Sequence, residues 1–280
     1  MVYHNITPGY FFRRFDQIWL ADVCDQARAM LGEMRHGFDA VVADSAYNAQ
    51  ELTDVGYPAS VVIPVFYDEH FYRDRAGDNE AFLERHMAGA INLAFIGRYV
   101  PNKRPDNVIR IAALVKRMAG KPVRLRLHGK VWERGYYLSL RRLSEDLGIE
   151  QDVVFEVNQP REALRTSLAS ADAFVSASEH EGFMVPLVEA FAVGCPVVAM
   201  ASSAVTETCG PAGLLVRDAD IEHVAARVVM VHEDQDLRMA LIRAQSARAA
   251  FFSTIATLRK WEGVLAPFLE QPLVTHAHRI

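Results

Sequence analysis

The 280-residue sequence predicts an α/β protein built on parallel sheets, and three observations support this fold class. Short β-branched runs alternate with segments of helical periodicity, as in strands that are joined by crossover helices. Several runs are apolar at consecutive positions, which is typical of strands covered by helices on both faces. The composition, with 51% hydrophobic and 23% charged residues, is that of a globular protein rather than a disordered or fibrous one.

The predicted strands fall into two groups along the chain. The first group has two clear runs, 40–43 and 61–66, with a third strand expected at the extreme N-terminus. Two or three strands are too few for a doubly wound sheet, whereas six make a complete Rossmann-like domain. The second group contains six runs: 91–96, 123–127, 153–155, 173–175, 196–199 and 213–216.

Helices are predicted between these strands from capping residues and stop signals. Ser45 is a typical N-cap for a helix over 46–54, and Asp106 for one over 107–118. Pro186 opens a helix that Gly194 ends, because proline suits the first turn and glycine the residue after the last. The remaining predicted helices cover 136–147, 160–169 and, just before the strand 91–96, 82–87.

Composition and charge exclude several classes of function. With 30 Lys and Arg against 35 Asp and Glu, the net charge of −5 provides no overall basic field for nucleic acid. The three cysteines form no C-x-x-C pair, which argues against a disulfide framework or a zinc site and fits a reducing cytosol. None of the 16 glycines forms G-x-G-x-x-G, so a nicotinamide dehydrogenase is poorly supported.

Two strand ends carry residues suited to a ligand with a phosphate group. Glu181 follows the strand 173–175, at the edge where open α/β sheets bind ligands, and Glu189 lies on the next helix. The backbone amides of Gly182, Phe183, Met184 and Val185 lie at the entrance of that helix, where the dipole favours an anion.

The strand 91–96 ends in a second candidate site for the same anion. Gly97 lets a ligand approach the backbone, and Arg98 and Lys103 are two cations on one loop that can flank a phosphate. His128 ends the next strand on the same sheet edge. Glu207 follows another strand, and the sequence leaves open whether it lines the site or is a loop charge.

These segments, in this order and spacing, resemble family 4 glycosyltransferases, which are retaining enzymes of the GT-B fold. The resemblance depends on E-G-F-x-x-P-x-x-E-A around Glu181 and Glu189, on F-I-G-R…K around Arg98, and on G-x-P-V-V-A after the helix. It covers the chain from Tyr3 to about Leu269. The fold implied is a complete C-terminal Rossmann-like donor domain with part of an N-terminal acceptor domain.

The resemblance assigns roles to the candidate residues. It implies that Glu181 faces the hydroxyls of the donor sugar, that Glu189 holds the nucleotide ribose, and that Arg98 and Lys103 neutralise the diphosphate. His4 falls where the family has its active-site histidine, which makes Glu181 and His4 the expected catalytic residues. The remaining expected donor contacts are Gly97, His128, Gly182, Phe183, Met184 and Val185.

The resemblance also implies substrates, location and domain boundaries. We expect a nucleotide-diphosphate sugar as donor, a glycan or lipid-linked acceptor, no cofactor and no metal, in the cytoplasm or peripherally at the inner face of the membrane. Glu-His-Glu-Gly-Phe-x-Val-Pro is similar to mannosyltransferases, which favours mannose. The expected division is 1–72 for the incomplete N-terminal domain, 73–90 for a linker, 91–252 for the donor domain and 253–280 for a helix crossing back, with a tail.

The sequence departs from the family pattern in two places. The glycine-rich loop that follows the family's first strand has no counterpart, and Val153-Val-Phe-Glu-Val replaces the usual F-x-G. Because of the first departure, we also consider a non-catalytic half that binds nucleotide sugar and needs a further segment or partner. An uncovered sheet edge and the apolar stripe of the last helix predict self-association.

Overall fold

The computed structural model of the chain describes residues 1–58, 60–73 and 89–269, and it contains two parallel sheets. Most of the expected linker, 73–90, and all of the helix expected over 82–87 lie outside the described residues, as does the tail beyond 269. The two sheets agree with the predicted fold class, mixed α/β with parallel strands.

The first sheet has three short strands in the order β1-β2-β3, and it includes the strand expected near the N-terminus. The third strand is shorter than its apolar run, and the N–H groups of Val61 and Ile63 donate to the second strand. Pro64 is tolerated there because the N–H group it lacks would face away from the sheet at this edge. The elements of this part are β1 (Val2–Tyr3), α1 (Tyr10–Arg13), α2 (Ile18–Glu33), β2 (Val42–Ala43), α3 (Ala46–Asp54), β3 (Val61–Val62) and α4 (Glu69–Arg73).

The second sheet has six parallel strands in the order β6-β5-β4-β7-β8-β9. The strand order reverses between β4 and β7, and such a switch point leaves a crevice at the carboxyl ends of the two strands. The strands are β4 (Ile91–Ile96), β5 (Val123–Gly129), β6 (Val153–Val157), β7 (Ala173–Ser176), β8 (Val197–Met200) and β9 (Leu214–Val216).

Helices alternate with the strands of the second sheet, and three of the described helices follow its last strand. They are α5 (Pro105–Ala119), α6 (Arg134–Asp146), α7 (Arg161–Ala169), α8 (Val185–Val193), α9 (Val205–Cys209), α10 (Ile221–Glu233), α11 (Gln235–Phe251) and α12 (Thr254–Leu269). No helix within the described part of the chain combines the length and the apolar character needed to cross a membrane.

Two helices begin differently from the prediction. Asp106 is not the N-cap of α5, which starts at Pro105 after Arg104 in a left-handed conformation (φ +48°). The Asp106 carboxylate instead accepts hydrogen bonds of 3.0 and 2.8 Å from the Arg104 guanidinium. Helix α8 begins at Val185, one residue earlier than expected, because Met184 turns the chain with φ +76°.

The hydrophobic core lies on both faces of the large sheet. Along β4, Ile91 and Leu93 face one apolar cluster, whereas Ala94 faces the other, as the alternation of a strand requires. Tyr67 and Tyr72, which follow the small sheet, pack into the second cluster. The segment leaving the small sheet is therefore anchored on the large one.

The last helix leaves part of its apolar stripe exposed, as the sequence predicts. Phe252, just before α12, is buried, but the side chains of Ile255 and Leu258 are more than half exposed. Burying such a stripe would stabilise an association, so the structure is compatible with the self-association that remains a prediction.

Candidate functional site

A cavity of about 460 Å³ opens between the two sheets, beside the carboxyl ends of β4 and β7. Its position is the switch point of the large sheet, where side chains from two strand ends and from the small sheet converge. Nine of the eleven predicted site residues line it: His4, Gly97, Arg98, Lys103, Glu181, Gly182, Phe183, Met184 and Val185.

Glu181 and Lys103 form an ion pair within this cavity. The Ser178 hydroxyl donates a hydrogen bond of 2.7 Å to the other oxygen of the Glu181 carboxylate. The backbone N–H of Glu181 donates to the Ser203 hydroxyl, also at 2.7 Å. Both members of the pair are largely buried, and Lys103 and Ser178 hold one oxygen each of the Glu181 carboxylate.

The entrance of α8 brings backbone amides to the cavity. Gly182, Phe183, Met184 and Val185 all line it, and α8 points its N-terminus toward the same space. Met184 adopts the left-handed conformation at the N-cap without being a glycine, an arrangement that costs on the order of 1–3 kcal/mol. Such strain is often kept at binding sites, and a helix N-terminus favours an anionic ligand.

Gly182 allows the two parts of the chain to approach each other closely. A Cβ atom at this position would lie 2.7 Å from the Asn5 Cβ atom and 2.7 Å from the His4 carbonyl oxygen. No side chain could occupy that space without moving backbone, so glycine is required for the loop after β1 to contact the loop after β7.

His4 is held at the cavity by Asp44, a residue that the sequence analysis did not single out. The His4 Nδ1 atom lies 3.2 Å from the Asp44 carboxylate, and Asn48 also donates to Asp44. Burial raises the pKa of Asp44, partly offset by the hydrogen bonds from His4 and Asn48. Asp44 directly follows the run 40–43, and its place at a strand end was the signal that could have identified it.

His180 is a second cavity residue that the sequence analysis missed. Its ring lies between those of Phe11 and Tyr47, with centroid distances of 5.5 and 5.8 Å. Burial, and secondarily the Lys103 ammonium, lower the pKa of His180 to about 4, so the imidazole is neutral at pH 7. Among the described residues, its Nε2 atom has no hydrogen-bond partner.

Two predicted donor contacts lie outside the cavity lining. His128 is 1% exposed within β5, with its Nδ1 atom 3.1 Å from the Glu156 carboxylate, and burial lowers its pKa. Glu189 accepts a hydrogen bond of 2.6 Å from the Tyr72 hydroxyl, and burial raises its pKa. Their positions on a strand and on a helix did not show that these two side chains lie buried among other protein groups.

Glu207 is neither a lining residue of the cavity nor a loop charge, the two alternatives that the sequence left open. It lies on the short helix α9, and its carboxylate accepts hydrogen bonds from the backbone amides of Ala46 (3.0 Å) and Tyr47 (3.1 Å). These amides are the first of α3, where a carboxylate is favoured by the helix dipole. Glu207 therefore joins the two parts of the chain.

The fold and the site together define an α/β protein with a cavity at the switch point of its large sheet. Residues from both sheets line this cavity, and its cations and helix N-terminus suit an anionic ligand. The profile of the family described as glycosyl transferases group 1 matches residues 84–248. The chain belongs to this family, which confirms the predicted resemblance and the GT-B type of fold.

Several known proteins are similar to this chain. The D-inositol 3-phosphate glycosyltransferase of Nocardia farcinica is 35% identical over 245 residues, which are 82% of this chain and 52% of that protein. The GDP-mannose-dependent alpha-(1-6)-phosphatidylinositol monomannoside mannosyltransferase of Mycobacterium tuberculosis is 25% identical over 228 residues, 77% and 58% of the two chains. The chain spans about half the length of the curated relatives it matches.

A solved structure supports the fold. Anabaena HepE in complex with UDP-glucose superposes with a TM-score of 0.76 at 18% identity, over 96% of this chain and 71% of HepE. At this identity the likeness concerns the arrangement of strands and helices.

Proposed function

We propose that the cavity binds a nucleotide-diphosphate sugar and that the chain transfers the sugar, with retention, to a hydroxyl group of an acceptor. The observation that carries this proposal is the cavity itself, lined from both sheets and containing the Glu181–Lys103 ion pair. The names of the relatives, which are glycosyltransferases, support it.

The positive groups of the cavity suit the diphosphate. Arg98, Lys103 and the amides at the entrance of α8 lie around one space, and charge develops on the diphosphate as it leaves. Preorganised donors of this kind each contribute about 3–4 kcal/mol in comparable sites. Because these groups supply the compensating charge, we propose that no metal ion takes part.

The opposite side of the cavity suits the sugar and the acceptor. In the proposed reaction the bond from the anomeric carbon to the diphosphate oxygen breaks, and a bond to the acceptor oxygen forms on the same face. The proton of the acceptor hydroxyl passes to the departing diphosphate. Glu181 orients the sugar through its hydroxyls, and His4, held by Asp44, contacts the sugar from the small sheet.

The acceptor and the donor sugar are proposed from the relatives and the motif. The names of two relatives contain inositol 3-phosphate and a phosphatidylinositol mannoside, which favours a glycan, polyol or lipid-linked acceptor. Glu-His-Glu-Gly-Phe and the mannosyltransferase relative favour mannose. We place the reaction in the cytoplasm, with peripheral contact at the inner face of the membrane.

Calorimetry and a transfer assay test the proposal. UDP and GDP are titrated first, and then radiolabelled UDP-glucose and GDP-mannose are incubated with myo-inositol or phosphatidylinositol vesicles. We expect one nucleotide to bind and its sugar to be transferred, with Glu181→Gln reducing transfer at least about 100-fold, as removal of a preorganised contact does. Glu222→Gln, on the exposed first turn of α10, is the matched control.

The assay also separates the alternative. A chain that binds nucleotide but transfers no sugar would be the non-catalytic binding half considered above. Failure of both nucleotides to bind would contradict the assignment of the cavity.

A further inference from the structure

A second cavity of about 280 Å³ adjoins the first one. Asn5, Thr7 and Arg98 line both cavities, so the two spaces adjoin at these residues. One wall of the second cavity is a face of α2, and the other comes from the large-sheet part of the chain. The remaining lining residues are Ile6, Phe12, Leu20, Val23, Cys24, Ala27, Val100, Asn102 and Trp132.

The lining of the second cavity is mainly apolar. Of the two amides, Asn102 already donates a hydrogen bond of 3.1 Å to the His180 carbonyl oxygen. No carboxylate is among its described lining residues, and the one cation there, Arg98, lies at the junction, with its guanidinium 5.8 Å from the centroid of the Trp132 ring. Few groups remain to satisfy the hydroxyls of a sugar, so an apolar ligand fits better.

The neighbouring Arg28 does not make the second cavity more polar. The Arg28 guanidinium donates hydrogen bonds to the Ile6 carbonyl oxygen (2.7 Å) and to the Glu51 carboxylate (3.1 Å). Its charge is thus paired within the small-sheet part, and Arg28 does not line the second cavity. The cavity has no described pair of cations that would hold a phosphate.

We infer that this second cavity, the aglycone pocket, binds an aliphatic chain carried by the acceptor while the reacting hydroxyl lies in the first cavity. The inference rests on the proposed function, since it names the class of acceptor. Trp132, which is about half exposed, suits the mouth of such a pocket because its ring is apolar and its N–H group can stay wet.

Cys24 makes the pocket accessible to a specific chemical probe. It is partly exposed and lines the pocket, whereas Cys195 and Cys209 are buried, and the chain has three cysteines in all. Burial, and secondarily Asp25, raise the pKa of Cys24, so alkylation requires mildly alkaline conditions. N-ethylmaleimide attached there would fill the space proposed for the aliphatic chain.

The experiment measures the binding of methyl, butyl and hexyl glucosides to the nucleotide-loaded chain. We expect affinity to rise by up to about four-fold for each buried methylene group, which is the usual hydrophobic increment. Val23→Asp puts a charge in the pocket at a position where the native side chain is 41% exposed, so folding should be retained while the chain-length effect is lost. Met30→Asp, on an exposed position of α2 outside the pocket, should keep it.

Modification of Cys24 with N-ethylmaleimide is the second part of the experiment. Treatment should abolish the chain-length effect in the parent protein and should change nothing further in a Cys24→Ser variant. The inference is overturned if hexyl glucoside binds no more tightly than methyl glucoside, or if Val23→Asp and Met30→Asp lose the effect equally. Nucleotide binding is measured in the same samples. If the unmodified parent protein binds no nucleotide, the result counts against the proposed function and not against the aglycone pocket.

Discussion

The Lys103 ammonium is bonded to the Glu181 carboxylate inside the candidate site. The cation proposed for the diphosphate therefore lies beside the carboxylate proposed for the sugar, which places both next to the bond that breaks in the proposed reaction. The two charges neutralise each other, so in the proposed complex the diphosphate competes with Glu181 for Lys103.

Replacing this lysine should weaken the binding of the nucleotide. Lys103→Ala removes a charge-assisted contact with the diphosphate, and such contacts contribute about 1.5–3 kcal/mol. We expect the dissociation constant of the preferred nucleoside diphosphate to rise at least about ten-fold by calorimetry. Lys121→Ala is the matched control, because Lys121 lies outside the cavity and makes an exposed contact with His232. Unchanged affinity in the Lys103 variant would contradict the phosphate assignment.

A methyl group at Gly182 should separate the two halves of the site. In Gly182→Ala the added Cβ atom would lie 2.7 Å from both the His4 carbonyl oxygen and the Asn5 Cβ atom, so the loop after β1 must move. Restoring an ordinary contact distance requires a shift of about 1 Å, and a displacement of about 1 Å in an active site can lower the rate about 100-fold. Sugar transfer should fall accordingly, as measured with radiolabelled donor.

The control for this substitution is Gly263→Ala. A Cβ atom at Gly263 meets no atom within 4 Å, and the residue lies inside α12. Alanine should raise helix stability there by up to about 1 kcal/mol without affecting transfer. Equal transfer by the two variants would show that the close approach at Gly182 is not needed.

Loss of the Glu207 carboxylate should destabilise the contact between the sheets. Glu207→Ala removes the carboxylate that caps the amides of Ala46 and Tyr47, which should lower the free energy of unfolding by about 0.5–2 kcal/mol. Urea denaturation measures the change, with Glu233→Ala at the end of α10 as the control. Identical midpoints for the two variants would remove Glu207 from the interface.

Stability should depend on pH through His180. Its pKa falls from 6.5 to about 4 on folding, so the unfolded chain binds the proton first as the pH decreases. Stability contributed by the neutral ring is therefore lost between pH 6.5 and about 4, amounting to about 3 kcal/mol in total. Comparing urea curves of the parent and of His180→Phe across this range isolates the effect. If the parent and the variant lose stability equally as the pH falls, His180 is not the cause of the pH dependence.

The strands of the large sheet could be predicted because their signal is local. Several of the buried runs are apolar at consecutive positions, and Gly194 ends α8 as its position indicates. The prediction was less accurate at Asp106, where a local capping signal was overridden by Arg104. That guanidinium binds Glu179 as well as Asp106, and Glu179 is 75 positions away.

The sequence by itself determined the fold class, the family resemblance and the loops that form the cavity, because apolar periodicity and turn residues act over short distances. Only the tertiary structure decided which side chains face the cavity. Glu189 meets Tyr72 across 117 positions, and Glu207 meets the Ala46 amide across 161. A side chain's partners depend on how distant segments pack, and no local pattern in the sequence contains that information.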